Sequence, residues 1–154
     1  MEKDTVVLGL GNPLMSDEGV GSLIIEQFLA DCERYPSVDF IDVGTGGMSI
    51  LHYISGRHKA IIVDCAYMGA EPGTIKRFRP DEVESVKKLA QQSLHEADVL
   101  KIIEMAKQLD LAPQQIIIFG IEPECVKPGQ ELSETLAAKI DDYIAAISQE
   151  LLPN

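Results

Sequence analysis

The residues from Val6 to Gly21 constrain the fold more than any other stretch, because they pass from an apolar run through a glycine turn into a helical pattern. The run 6–8 is apolar and does not alternate with polar residues, which is typical of a strand covered on both faces. Gly9 and Gly11 permit a tight turn, and the Asn12-Pro13 pair delays the next element. We therefore predict a buried strand that leads directly through a turn into a helix.

The helical pattern that follows places Glu18 near the beginning of that helix. Apolar residues recur at helical spacing, at Val20, Leu23, Ile24 and Phe28. Ser16 or Asp17 can cap the helix, which puts Glu18 in its first turn, at the mouth of a sheet. Acidic residues are common there because they complement the helix dipole, by about 0.3–1 kcal/mol. Taken alone, Glu18 therefore indicates no function.

The same glycines do not make a nucleotide site. The dinucleotide-binding pattern requires a third glycine, and Leu14 stands at that position. It also requires an acidic residue about 20 positions on that binds a ribose. Asp31 lies near that spacing but falls inside or at the end of the first helix, so a nucleotide site is not expected.

Length and composition predict a single domain over residues 1–154. The chain is 45% hydrophobic and 25% charged, and it has no apolar run near the ~20 residues that a bilayer requires. It also shows no charged and then apolar leader, so we expect a cytoplasmic protein. Cys32, Cys65 and Cys125 are odd in number and lack CxxC spacing. We expect reduced and mostly buried thiols, with neither a disulfide framework nor a thiolate zinc site.

The charge of the chain bears on its partners. The formal net charge is −12, which repels nucleic acids and anionic membranes at long range. A basic or metal-bearing protein is the more suitable partner. We expect no nucleic acid, no membrane and a monomeric chain.

Further strands and helices alternate along the rest of the sequence. Apolar or alternating runs predict strands at 38–43, 60–63, 115–121 and, more exposed, 74–79. Helices are predicted at 48–54, after a capping box that Ser93 opens, and after Ser133, with a polar helix or loop at 81–88. The last two helices carry apolar residues at Ala97, Val99, Leu100, Ile103, Ala106 and Leu109, and at Leu136, Ile140, Ile144 and Ile147. This alternation predicts an α/β fold whose mainly parallel, twisted central sheet has about five strands, with helices on both faces.

Four chemically useful side chains fall where ligands collect in such sheets, outside the carboxyl ends of the strands. They come from four separate segments and are Glu18, Asp42, Asp64 and His95. Carboxylate oxygens and an imidazole nitrogen suit a borderline divalent ion such as nickel, zinc, cobalt or iron, with positions left open for water or substrate. Their coincidence at one edge is the functional signal.

Each of these residues also has a purely structural interpretation. Asp42 and Asp64 can cap turns through their side chains, and His95 can be a solvated residue of a first helical turn. Taken singly, those interpretations are favoured. His52 and His58 have no acidic partner at ligand spacing and are interpreted as structural. Glu122 and Glu124 flank a proline and are expected to form a loop wall.

Several segments together resemble the maturation endopeptidases of nickel–iron hydrogenases. They are GLGNPLMSDEGVG at 9–21, DVGTGG at 42–47, VDCAY at 63–67, EPGT at 71–74, SLHEADVL at 93–100 and FGIEPE at 119–124. The resemblance implies a three-layer α/β/α sandwich that removes a C-terminal extension from the hydrogenase large-subunit precursor once nickel has been inserted. The metal-binding glutamate, aspartate and histidine of that family correspond to Glu18, Asp64 and His95.

This resemblance suggests roles for the residues. As a hypothesis, Glu18, Asp64 and His95 meet the nickel of the precursor, so that only metal-loaded substrate is recognised. The ion can polarise the scissile carbonyl or a water molecule, and Asp42 can orient water or substrate. Asp42, Glu18 and Asp64 are thus the catalytic candidates of a metal-dependent, aspartic-type or metallo endopeptidase. Nickel comes with the substrate, and zinc or cadmium can occupy the same ligands.

Two other functions remain open from the sequence. The peptidyl-tRNA hydrolases share the GLGNP opening at 9–13, but their basic, histidine-containing and asparagine-containing segment is replaced here by residues 15–19. A net charge of −12 also disfavours a tRNA substrate. A nickel-binding maturation chaperone that inspects the precursor without cutting it is the second alternative, because no nucleophile motif such as GxSxG is present.

Overall fold

A computed structural model describes residues 2–82 and 94–152, with side chains described at 2–82 and 99–152. Five strands form one sheet in the order β2-β1-β3-β5-β4. The first four of these are parallel to one another, and β4 is an antiparallel edge strand. The strands are β1 Thr5–Leu10, β2 Val38–Gly44, β3 Lys59–Cys65, β4 Ile75–Phe78 and β5 Gln115–Ile121. The sheet and its strand segments confirm the prediction from the apolar runs, but Gly9, which was predicted to begin the turn, still lies within β1.

Helices cover both faces of the sheet. They are α1 Val20–Leu29, α2 Ser49–Ile54, α3 Leu94–Gln108, α4 Glu134–Ala137 and α5 Ile140–Leu151, and 3-10 turns lie at Ser16–Gly19 and Cys32–Arg34. Within the described ranges, no helix is long and apolar enough to cross a bilayer.

The strand residues divide alternately between two apolar cores. Val7, Ile61 and Ile117 pack with α1 and α5, whereas Leu8 and Ile62 pack with α2 and α3. Both faces of each central strand are therefore buried, which explains the continuous apolar runs in the sequence. The result is the three-layer α/β/α sandwich that the resemblance implied.

The structure corrects two predicted helix boundaries. The residue before the 3-10 turn at 16–19 is Met15, and α1 begins after Gly19, so neither Ser16 nor Asp17 caps a helix through its side chain. Ser133 does act as a cap, because its hydroxyl oxygen accepts a hydrogen bond from the Leu136 N–H. The helix that it caps is only α4, however, since Lys139 has φ −110° and α5 starts anew at the next residue.

Other expectations change in detail. Cys65 is buried, but Cys32 is exposed and Cys125 is half-buried, so the three free thiols are not mostly buried. Leu109 follows the end of α3 and is exposed, in contrast to the predicted packing residue. The polar segment 81–88 is described only at its first two positions, which are helical, and the proposed cap Ser93 lies outside the described residues.

Candidate active site at the carboxyl edge of the sheet

Glycines bring the turn after β1 close against the sheet and thereby position Glu18. Gly11 has φ +124°, and a Cβ atom built on it would lie 2.0 Å from the Glu18 carbonyl oxygen. A Cβ on Gly21 would lie 2.5 Å from the Leu10 carbonyl oxygen and 3.1 Å from that of Val63. The beginning of α1 therefore packs directly on the ends of β1 and β3. Glu18 lies in the 3-10 turn before α1, one turn earlier than the sequence predicted, and is half-buried.

Asp64 lies beside this turn, at the end of the neighbouring strand. It is the second-last residue of β3, which pairs with β1 on one side and with β5 on the other. Its exposed fraction is 4%, so the carboxylate is buried at the strand end, whereas the sequence placed this charge outside a core. β3 also contacts the 3-10 turn that carries Glu18. The two predicted metal-binding carboxylates therefore belong to contacting elements at one edge.

The electrostatics around Cys65 show that this edge is strongly acidic. Burial raises the pKa of the Cys65 thiol, and the carboxylates of Asp64, Glu18, Asp17 and Glu122 raise it further. The pKa of the exposed Tyr67 is also raised, first by burial and then by Cys65, Glu18, Glu122 and Asp17. Four carboxylates therefore lie near Cys65 at the end of β3.

Asp42 reaches the same edge from the other side of β1. β1 pairs with β2, and Asp42 lies in register with Gly9 near the end of β2. Its side chain is exposed, and its Oδ1 accepts a hydrogen bond from the Gly44 N–H at 3.0 Å. This is the turn-capping contact that the structural interpretation expected, and it coexists with an accessible position at the edge.

The backbone of His95 also lies toward this edge. His95 is the second residue of α3. The chain just after α3 lies at the opposite edge, where the Leu111 carbonyl oxygen accepts a hydrogen bond from Gly56, shortly before β3 begins. A helix of 15 residues is about 22 Å long, so the first turn of α3 belongs to the carboxyl edge. The His95 side chain is outside the described side chains.

The donor set fits a divalent ion in its chemistry. Glu18 and Asp64 supply carboxylate oxygens, and His95, from a third element, is an imidazole, a combination that suits nickel and zinc. Across the described side chains, no group of three or more acidic, histidine or cysteine residues converges as a metal site. Of the three predicted ligands, Glu18 and Asp64 are within the described side chains and His95 is not.

Asp17 is the residue whose importance sequence reasoning missed. It is fully buried, and its Oδ2 accepts hydrogen bonds from the N–H groups of Glu124 at 2.9 Å and Cys125 at 2.8 Å. Its Oδ1 accepts a third from the Ser133 N–H at 2.7 Å. Asp17 therefore ties the Glu18 turn to the loop after β5. All three partners are more than 100 residues away in the chain, so no local pattern could indicate this role.

Glu122 has the structural role that was expected of it. Glu122 is buried, and its Oε1 accepts hydrogen bonds from the N–H groups of Met68 and Ala70 at 2.7 Å and 3.1 Å. It thus fixes the loop after β3, as expected of a loop wall. His52 lies on α2 and His58 follows that helix, and both are exposed.

Comparison with known proteins agrees with this architecture. Residues 23–150 match the family of hydrogenase maturation proteases named HycI. The hydrogenase 2 maturation protease of Escherichia coli K12 is 31% identical over 148 residues, which are 92% of this chain and 87% of that protein. The hydrogenase expression/formation protein HoxM of Cupriavidus necator is 28% identical over 90% of this chain and 69% of its own length.

A solved structure extends the likeness to three dimensions. The hydrogenase maturating endopeptidase HybD from E. coli has a TM-score of 0.84 and 27% identity, and the match covers 98% of this chain and 92% of that one. The sheet, the helices on both faces and the sequence match are thus in accord. The chain belongs to the hydrogenase maturation protease family.

Proposed function

We propose that this protein is the endopeptidase that removes the C-terminal extension of a nickel–iron hydrogenase large-subunit precursor after nickel insertion. The observation that supports the proposal is the convergence of Glu18 and Asp64 from contacting elements at the carboxyl edge, toward which the first turn of α3 brings the His95 backbone. Family membership supplies the reaction class, a peptide hydrolysis. It also leaves the peptidyl-tRNA hydrolase alternative without support.

In this proposal the nickel ion arrives as part of the substrate. Glu18, Asp64 and His95 each donate a ligand atom to it, so a precursor without nickel lacks the bridge that joins it to the protease. The bound ion supplies a Lewis acid for the scissile carbonyl or a water molecule. Zinc or cadmium can occupy the same three ligands. Asp64 lies at the end of β3, which contacts the 3-10 turn that carries Glu18, and this placement supports the role.

Asp42 takes the remaining role, the orientation of water or of the scissile peptide. It is exposed at the edge, and only its Oδ1 is used in the hydrogen bond with Gly44. A carboxylate in this position can accept a hydrogen bond from a water molecule or from an N–H group of the substrate. The proposed mechanism is metal-dependent, of the aspartic type or the metallo type. In this proposal the protein is also cytoplasmic and monomeric.

Incubation of the purified protein with the purified nickel-loaded precursor tests the activity. We expect mass spectrometry to detect a released C-terminal peptide and a shortened large subunit. The nickel-binding chaperone is the competing function, since it also inspects the precursor but does not cut it. Stable binding of the nickel-loaded precursor with both chains intact would favour the chaperone and reject the endopeptidase.

A further inference from the structure

A groove of about 580 Å³ lies beside the element that carries Glu18. Leu23 and Glu26 of α1 form part of one side, and the segment 130–132 with Ile140 forms part of the other. Gly19, the residue directly after Glu18, also lines the groove. The groove is therefore continuous in the chain with the proposed active site.

The lining of the groove is apolar and acidic. Leu23, Leu132 and Ile140 contribute apolar surface, and Glu26 and Glu131 are exposed glutamates. No lysine or arginine is among the described residues that line it. Lys139 precedes Ile140, but its Nζ lies toward Gly73, 3.1 Å from where a Cβ on that glycine would be. The two glutamates therefore have no lysine or arginine partner in the groove lining.

Ser22 adds a polar group to this lining. Its exposed fraction is 8%, and its Oγ has no hydrogen-bond partner among the described residues. A buried hydroxyl without a partner is costly, and such groups in native proteins require an explanation. A peptide N–H or C=O group that enters the groove can provide the partner, after a small movement of the side chain.

We propose that this groove binds a peptide segment of the precursor that is apolar, carries a lysine or arginine, and lies next to the scissile bond. The inference rests on the proposed function, because it takes the hydrogenase precursor as the substrate of the active site that contains Glu18. The apolar lining accepts apolar side chains, and the two glutamates select a basic one by charge complementarity. The net charge of −12 steers the same basic segment toward the protein. A second copy of this chain is a poor occupant, because it carries the same excess of negative charge.

The double variant Glu26→Lys with Glu131→Lys tests the groove in a steady-state cleavage assay on the nickel-loaded precursor. We expect KM to rise about 10-fold or more at low salt while kcat stays within about twofold, since the chemistry at Glu18 and Asp64 is unchanged. The matched control is Asp81→Lys with Glu104→Lys, which changes the net charge equally at exposed positions outside this groove. We expect the control to retain the wild-type KM. Circular dichroism checks that both variants fold.

The outcomes separate this inference from the proposed function. Equal increases of KM in both double variants would overturn it, because net charge alone would then explain the effect. A wild-type KM in the groove variant, in a preparation where Glu18→Gln abolishes cleavage, would reject the groove and leave the endopeptidase intact. A change of oligomeric state in sedimentation velocity, confined to the groove variant, would assign the groove to a second copy of the chain and also overturn the inference. Failure of the wild-type protein to cut any precursor would reject the endopeptidase instead, and fluorescence anisotropy with a labelled basic, apolar peptide from the precursor would then test the groove alone.

Discussion

The position of Glu18 depends on the absence of a single carbon atom at Gly11. The built Cβ at Gly11 would overlap the Glu18 carbonyl oxygen at 2.0 Å, and its φ of +124° is strained for any other residue. Backbone atoms cannot move away as a flexible side chain can. Any larger residue at this position must therefore displace the turn that carries Glu18.

We predict that Gly11→Ala lowers kcat/KM for precursor cleavage by about 100-fold, because a shift of about 1 Å in a ligand group is sufficient for such a loss. It should also lower the free energy of unfolding by about 1–3 kcal/mol. Gly56→Ala is the matched control, since Gly56 has φ +77° but open space around its Cβ position. The control should lose about 1 kcal/mol and keep its activity. A Gly11→Ala enzyme with the kcat/KM of the wild type would disprove the proposed dependence of the Glu18 position on Gly11.

Asp17 has a comparable influence on stability. We predict that Asp17→Asn lowers the free energy of unfolding by about 2–3 kcal/mol, because an amide replaces one acceptor oxygen of a buried, charge-assisted network. Urea unfolding followed by circular dichroism measures the difference. The control Asp31→Asn removes a charge from an exposed pair with Arg34 and should cost at most about 1 kcal/mol. Equal losses of unfolding free energy in the two variants would mean that the buried network of Asp17 contributes no more to stability than an exposed ion pair.

At the scale of elements, two ion pairs connect the sheet to its surroundings and make stability depend on pH. Burial alone would raise the pKa of Asp39 in β2, but the hydrogen bonds from Arg57 and from the Lys3 N–H hold it below its usual 3.8. Glu150 of α5 behaves likewise, because its hydrogen bonds with Arg77 and Lys59 outweigh the effect of burial and lower its pKa. Lys59 begins β3, so the second pair joins a strand to a helix.

The direction of the pH effect follows from these lowered pKa values. A carboxyl group whose pKa is lower in the folded state stabilises the fold above its unfolded pKa, and this contribution disappears as pH falls through the folded value. We therefore predict that the free energy of unfolding falls below about pH 4, near the ordinary values of 3.8 for Asp39 and 4.5 for Glu150. Urea titrations from pH 6 to about pH 3 should show a shallower decline for Asp39→Asn than for the wild type. If the free energy of unfolding of Asp39→Asn declined with pH as steeply as that of the wild type, the contribution assigned to the Asp39–Arg57 pair would be refuted.

Elements whose bounds follow from local pattern could be predicted, and those that depend on distant contacts could not. β1, β3 and β5 were predicted because helices bury both of their faces. The division between α4 and α5 was not, because Ser133 caps only the first of them and no proline or glycine marks the break. The Tyr143 hydroxyl on α5 donates to the Gly73 carbonyl oxygen at 2.7 Å, a contact across 70 residues that no sequence pattern indicates.

For the whole molecule, strand order decides which side chains become neighbours. The order β2-β1-β3 brings the ends that carry Asp42, the Glu18 turn and Asp64 side by side. The sequence predicted that these residues share one edge, since parallel strands all end on the same side. It could not predict the buried position of Asp64 or the acidic surroundings of Cys65, because these depend on how the loops after β3 and β5 pack.

The central claim is that Glu18, Asp64 and His95 together recognise the nickel of the precursor. The most direct measurement compares cleavage rates of nickel-loaded and nickel-free precursor by the wild type and by Glu18→Gln, Asp64→Asn and His95→Ala, each checked for folding by circular dichroism. We predict that the wild type cuts only the nickel-loaded precursor and that each variant is slower by about 100-fold or more. Wild-type rates in all three variants, or equal cleavage with and without nickel, would contradict the claim.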